Sequence, residues 1–193
     1  MSRKSLAATF AALFVTVITG AAFAGPPASD RVDAAEHPAK LPDVFMVLHA
    51  VGQWSIDLST IAEKNAKSSV VKDYAHEMAT SNTDKDAQLM ALAQKHGIAV
   101  AQPDPQTPEG KSLLDRMKAE TVLLNSLQGD AFDKEYMTLV TNTQQSMIHF
   151  LEARKATAKD PDVKQFMVNM ITVVQNRLQR AQKIMATVYG NNI

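Results

Sequence analysis

Five polar side chains, Ser55, Asn82, Asp86, Thr143 and Arg177, sit on or beside otherwise apolar helical stripes near the midpoints of four long segments. Antiparallel helices of similar length meet at equal height near their midpoints, so these five are expected to form a polar layer across a bundle core. That level is where helical bundles build di-metal sites, with a glutamate from each of two helices and Glu-x-x-His from each of the others. The i, i+3 spacing matters because it aims both ligands at one face. None of the glutamates, from Glu36 to Glu152, has a histidine three residues later, and no His-Glu-x-x-His occurs. The layer offers one carboxylate, Asp86, and no imidazole. Arg177 cannot deprotonate to become a ligand, and its charge would repel a cation. The sequence therefore predicts no ferritin-type metal site, no cofactor and no catalytic residue. Two placements of Arg177 stay open: a buried pair with Asp86 or Asp57, or a side chain at the stripe's edge with its head in water.

Other chemistry is weakly signalled. Ten methionines would suit a thioether copper site. Nine of them fall within the expected helices, without a Met-rich cluster or loop, and read as core filler. His149 and Glu152 stand i, i+3 and are expected to pair on the surface, and His49 with Gln53 reads the same way. His76 and Glu77 are neighbours that point to different faces, His37 lies near the N-terminus, and His96 falls at a helix C-terminus that suits a partly positive imidazole. The five histidines share no convergent spacing. There is no Gly-x-Ser-x-Gly and no glycine-rich phosphate loop. Trp54, the sole tryptophan, is a core residue or, if exposed, a partner site.

The elements that must position these residues are helices. Apolar residues recur with helical period from Asp43 onward, and no segment alternates with period two. A first helix is expected over about 43–66. A second is capped by Ser68 and Ser69 and ends near Gly97. Thr107-Pro108-Glu109 starts a third, the loop before it holding Pro103 and Pro105. Gly129-Asp130 breaks the chain before a fourth, and Asp160-Pro161 caps the last. The third helix, about 28 Å long at the standard rise, suits a crossover along the bundle. The expected fold is all-α: an up-and-down four-helix bundle with an additional crossover helix, occupying residues 43–190.

The N-terminus carries the address. Arg3 and Lys4 precede an uncharged run from Leu6 to Ala22, and Ala22-Phe23-Ala24 places small residues at both positions a signal peptidase inspects. Residues 1–24 read as a secretory signal peptide, and 25–42, with Pro26, Pro27, Pro38 and Pro42, as a flexible tether. An uncleaved anchor is the alternative, since the run is just long enough. Removal of Arg3 and Lys4 from the 20 basic residues leaves 18 against 20 acidic ones, a net charge of −2. Such a balance makes nucleic acid or an anionic membrane surface a poor main partner. No second long apolar run is apparent, so stable membrane insertion of the mature chain is not expected. The absence of cysteine excludes disulfides, zinc–thiolate sites, iron–sulfur clusters and a lipoprotein anchor.

From Phe45 to about Val188 the chain resembles the domain-of-unknown-function 4142 family, exported bacterial helical proteins with a ferritin-like fold. The resemblance is carried by Ile56-Asp57-Leu58 through Ile61-Ala62, by Val71 to Met78, and by Phe132-Asp133-Lys134-Glu135-Tyr136. It implies a glutamate near Ser55, Asp-His at Ser81-Asn82, a histidine near Thr143 or Gln144, and another at Arg177, none of which is present. The resulting expectation is an exported periplasmic or secreted protein, non-enzymatic, acting in envelope stress or through protein partners. The alternative is a small-molecule or metal-handling protein, redox-active or not, with a non-standard site. N-terminal sequencing of the exported protein should begin at Gly25; a sequence that retains Arg3 would identify the anchor instead.

Overall fold

The computed structural model describes residues 40–190. The expected signal peptide lies outside the described residues, as does the expected tether except for its last three residues. Of those three, Leu41 and Pro42 already belong to the first helix. Proline is tolerated there because the first-turn amides have no intrahelical partner. Five helices follow in order: α1 (Leu41–Asn65), α2 (Ser69–Lys95), α3 (Pro108–Asn125), α4 (Gly129–Thr157) and α5 (Pro161–Tyr189). No strand occurs among the described residues.

Short turns join α1 to α2 and α4 to α5, and each pair packs as an antiparallel hairpin. The hairpins dock through α1 on α4 and α2 on α5. Cross-contacts give the directions. The end of α1 meets the start of α4 through Ser59 and Tyr136, and the end of α2 meets the start of α5 through Lys95 and Asp162. All four neighbouring pairs therefore run antiparallel. This arrangement requires the chain to return the length of the bundle between α2 and α4, and α3 is that crossover, packed on α4 and α1. Its buried residues Gly110, Met117 and Leu124 recur every seven positions, a single narrow seam.

Caps set the helix ends. Thr107 Oγ1 accepts from Gly110 N at 3.1 Å, and Asp160 accepts from the amides of Asp162 and Val163. Gly110 has a second role: a Cβ there would lie 2.1 Å from the Asp104 carbonyl oxygen, so the loop closes this tightly only over glycine. Gly97, at φ 64°, takes the left-handed conformation just beyond α2. Ser68 is the N-cap of α2 but makes no side-chain cap bond. Asp133 of α4, only 1% exposed, takes over: its two oxygens accept from Lys67 N at 2.8 Å and Ser68 N at 2.7 Å.

The buried apolar residues fall into two clusters. One, at the end of the α1–α2 turn, is built around Tyr74, Phe132, Tyr136 and Met137. The other, at the opposite end, holds Phe45, Leu48, Leu151 and Met167. Between them, polar side chains interrupt the core. By length and composition α1 could cross a bilayer, at a mean hydropathy of 1.2, a property the sequence reading did not assign to it. In the fold, its buried residues Val44, Phe45, Leu48 and Leu58 contribute to both clusters.

Asp133→Ala leaves two backbone amides at the hairpin junction without their charged acceptor. Urea unfolding should show a loss of roughly 3 kcal/mol, with Asp133→Asn intermediate because the amide retains one acceptor oxygen.

Candidate functional site

Between the two apolar clusters lies a cavity of about 50 Å³, walled by residues of α1, α2, α4 and α5. That is room for a few water molecules or about four non-hydrogen atoms. Ser55, Asn82, Thr143 and Arg177 all line it, together with Gln144. The remaining wall is largely apolar, with Leu58, Val174 and the thioethers Met78, Met147 and Met170. Trp54 also lines it, and its Nε1 donates to Thr121 Oγ1 of the crossover helix at 2.9 Å.

The polar wall is partly cross-linked. Arg177 Nη1 donates to Asn82 Oδ1 at 2.7 Å, and Nη2 donates to Ser81 Oγ. Gln144 Nε2 donates to the Tyr74 hydroxyl at 2.6 Å, which in turn donates to the Arg177 carbonyl at 3.3 Å. Two buried atoms of this wall have no partner within the protein: Asn82 Nδ2 and Gln144 Oε1. Each such atom, left dry, costs roughly 1–3 kcal/mol. Burial holds the Arg177 guanidinium below its ordinary pKa, and the neighbouring Tyr74 works in the other direction. Guanidinium nevertheless stays charged at neutral pH. No carboxylate lies within salt-bridge distance of Arg177 among the described residues.

Of the two placements left open for Arg177, the pair with Asp86 or Asp57 does not form. Asp86 faces α1, its Oδ1 2.7 Å from His49 Nδ1 and its Oδ2 accepting from Gln53 Nε2 at 2.7 Å. The reason is register. Lys95 pairs with Asp162 while Ser81 and Asn82 meet Arg177, so Asp86 sits about one helical turn, roughly 6 Å, further along the bundle. Asp57 is exposed on the outer face of α1. Arg177 is half-buried rather than at either expected extreme. The expected surface pair of His149 and Glu152 is also replaced, since Glu152 pairs with Lys155.

One convergence was invisible in the spacing of the histidines. At the far end of the bundle, ligand atoms of His96, Asp160 and Asp162 lie within 4.8 Å of one another, a group that could hold a metal ion. Each carboxylate is already engaged: Asp160 Oδ1 caps α5, and the Lys95 ammonium sits on Asp162.

The sequence pattern of the family described as domain of unknown function (DUF4142) matches residues 27–184. The chain belongs to this family. Among solved structures it is similar to a DUF305 protein from Streptomyces coelicolor, at 14% identity and TM-score 0.62, over 76% of this chain and 92% of that one. It is also similar to a DUF305 fragment from Deinococcus radiodurans, at 17% identity and TM-score 0.63, over 78% of this chain and 99% of that one. These likenesses concern the fold. No curated protein matches the chain.

Within this DUF4142 chain, sequence reasoning missed Gln144 and Tyr74 as members of the polar layer. Gln144 stands at the midpoint of α4, and Tyr74 carries an apolar ring on the buried face of α2; its hydroxyl reaches the layer from about two turns away.

A groove of about 240 Å³ under α3 borders the cavity, sharing Val51, Thr143 and Met147 with it. Glu120 of α3 lines this groove, and burial raises its carboxyl above the ordinary value, Arg116 opposing and Glu135 reinforcing the shift. A raised folded-state pKa means that the folded chain holds this proton to higher pH than the unfolded chain. Stability is then lost as pH rises from the unfolded value through the folded one. Glu120→Gln should therefore be more stable than the parent at neutral pH. That advantage should vanish at roughly pH 3.5. Denaturation at the two pH values checks this, and an advantage independent of pH would contradict the assignment.

Proposed function

We propose that this DUF4142 protein is exported to the periplasm and acts there without catalysis, as a binding module whose bundle encloses a small polar ligand. The observation that carries this reading is the central cavity with two unpartnered buried polar atoms, Asn82 Nδ2 and Gln144 Oε1. Buried polar groups in native proteins are almost always hydrogen-bonded, to water or ligand where the protein offers nothing. The cavity wall carries hydroxyls, amides, thioethers and a guanidinium, but no carboxylate or imidazole among its lining residues. General acid–base chemistry has no evident agent there, and neither Ser55 nor Thr143 has an adjacent base. The same composition argues against a divalent metal, which needs deprotonated donors and no fixed positive charge beside them.

A second reading, contact with a protein partner in the envelope or in its stress response, is supported by α3. This helix is held by one narrow seam and leaves Val122 62% and Leu123 44% exposed. Partner binding at α3 is compatible with a ligand in the cavity, because Trp54 touches both.

Elemental analysis of the protein purified from the periplasm, without chelator or affinity tag, tests the leading reading. Metal content far below one ion per chain is expected. Near-stoichiometric iron, copper, zinc or manganese would overturn it and reopen a metal-handling function.

A further inference from the structure

We infer that the central cavity is a site for a small planar oxyanion, of formate or acetate size, recognised by Arg177 and Asn82. This rests on the reading of the cavity as a ligand site and names the ligand's chemistry.

Arg177 brings a fixed positive charge to the cavity, and its two protein partners, Asn82 Oδ1 and Ser81 Oγ, are neutral. A guanidinium has five N–H donors. Two are engaged, which leaves donors for an incoming acceptor. Planar oxyanions match guanidinium geometry, and charge-assisted bonds between them are the strong ones. Asn82 adds a donor whose direction is settled by Arg177. Because a guanidinium cannot accept, the amide must present Oδ1 to it, and Nδ2 is the atom left free. Asn82 is 8% exposed, so this donor has no bulk water to satisfy it. A positive charge beside a free buried N–H selects an acceptor with negative charge.

Size and polarity agree. A cavity of about 50 Å³ admits about four non-hydrogen atoms. Its other wall, with Leu58, Val174 and Met170, suits a hydrogen or methyl group opposite the charged end. Gln144 Oε1, the remaining free acceptor, takes a hydrogen bond from a hydroxyl of the ligand or from a water beside it. Arg177 also lines an open groove on the α2–α5 face, together with Ser81, Glu77 and Arg180.

Trp54, on the cavity wall, provides the readout. The mature protein is titrated at constant ionic strength with formate, acetate, bicarbonate and nitrate, and with acetamide as a neutral isostere of acetate. Saturable change in Trp54 emission and a rise in Tm are expected with the oxyanions and not with acetamide. Preference for acetate over nitrate and bicarbonate identifies an organic carboxylate as the source, and the reverse order an inorganic oxyanion. Asn82→Asp places a carboxylate beside the guanidinium and should weaken oxyanion binding at least tenfold while preserving the fold. Arg177→Gln should do the same, and Arg180→Gln should not.

Equal responses to acetamide and acetate would overturn anion recognition but leave a small-ligand cavity standing. No saturable response to any probe would overturn both. Undiminished oxyanion binding in Asn82→Asp, or in Arg177→Gln should the first variant not fold, would place the anion elsewhere and overturn the assignment.

Discussion

Asp133 carries the constraint from which the rest of the geometry follows. It is a carboxylate buried in α4, and it accepts hydrogen bonds from the backbone amides of Lys67 and Ser68, in the turn between the helices of the other hairpin. Those amides are the N-cap of α2 and the residue before it, at the end where a helix leaves its first N–H groups unpaired. A residue of one hairpin thus caps the other. Neither hairpin can slide along its neighbour without exposing a charge or stranding two donors. Ser59 and Tyr136, hydrogen-bonded at 3.0 Å in the same apolar cluster, reinforce this height. Once the turn end is pinned, the heights of all residues further along the helices follow from the common rise per residue.

The polar layer is the consequence of that register at mid-height. Uninterrupted apolar stripes would have joined the two clusters into one core of greater stability. Here a guanidinium, two amides and two hydroxyls meet at a cavity, and two buried polar atoms lack partners. Features that lower stability without a local compensation tend to mark function. The positions at which the family resemblance implies acidic and histidine residues are occupied by Ser55, Asn82, Thr143, Gln144 and Arg177, and these positions converge on the same cavity.

Methionine illustrates how the same residue serves two roles. Met137 and Met167 are buried members of the apolar clusters, where a flexible side chain fills irregular gaps. Met78, Met147 and Met170 line the cavity. Their thioethers are weak acceptors, as the approach of Gln144 Nε2 to Met78 Sδ at 3.6 Å illustrates. Soft-metal binding at these sulfurs would have to proceed beside a fixed positive charge, which is the physical reason for favouring an anion.

Much of the architecture was legible in the sequence. Helical periodicity located all five helices, and Thr107-Pro108 and Asp160-Pro161 marked their starts because capping is local chemistry. The polar breaks in the stripes pointed to mid-height, since burial of a stripe follows from its own period. Partner choice was a different matter. Arg177 meets Asn82 across 95 residues of chain, and Lys67 meets Asp133 across 66. Such pairs depend on register and rotation between helices, where an error of one turn moves a side chain about 5 Å along the bundle. That is why the sequence left Asp86 open as a partner of Arg177, whereas Asp86 holds His49 and Gln53. The sequence by itself determined that the bundle would form and that polar side chains would interrupt the stripes at its middle, because both follow from patterns within single helices. Only the tertiary structure decided that the middle is a cavity bearing an arginine without a carboxylate partner, because that depends on how four separate helices are brought to one height.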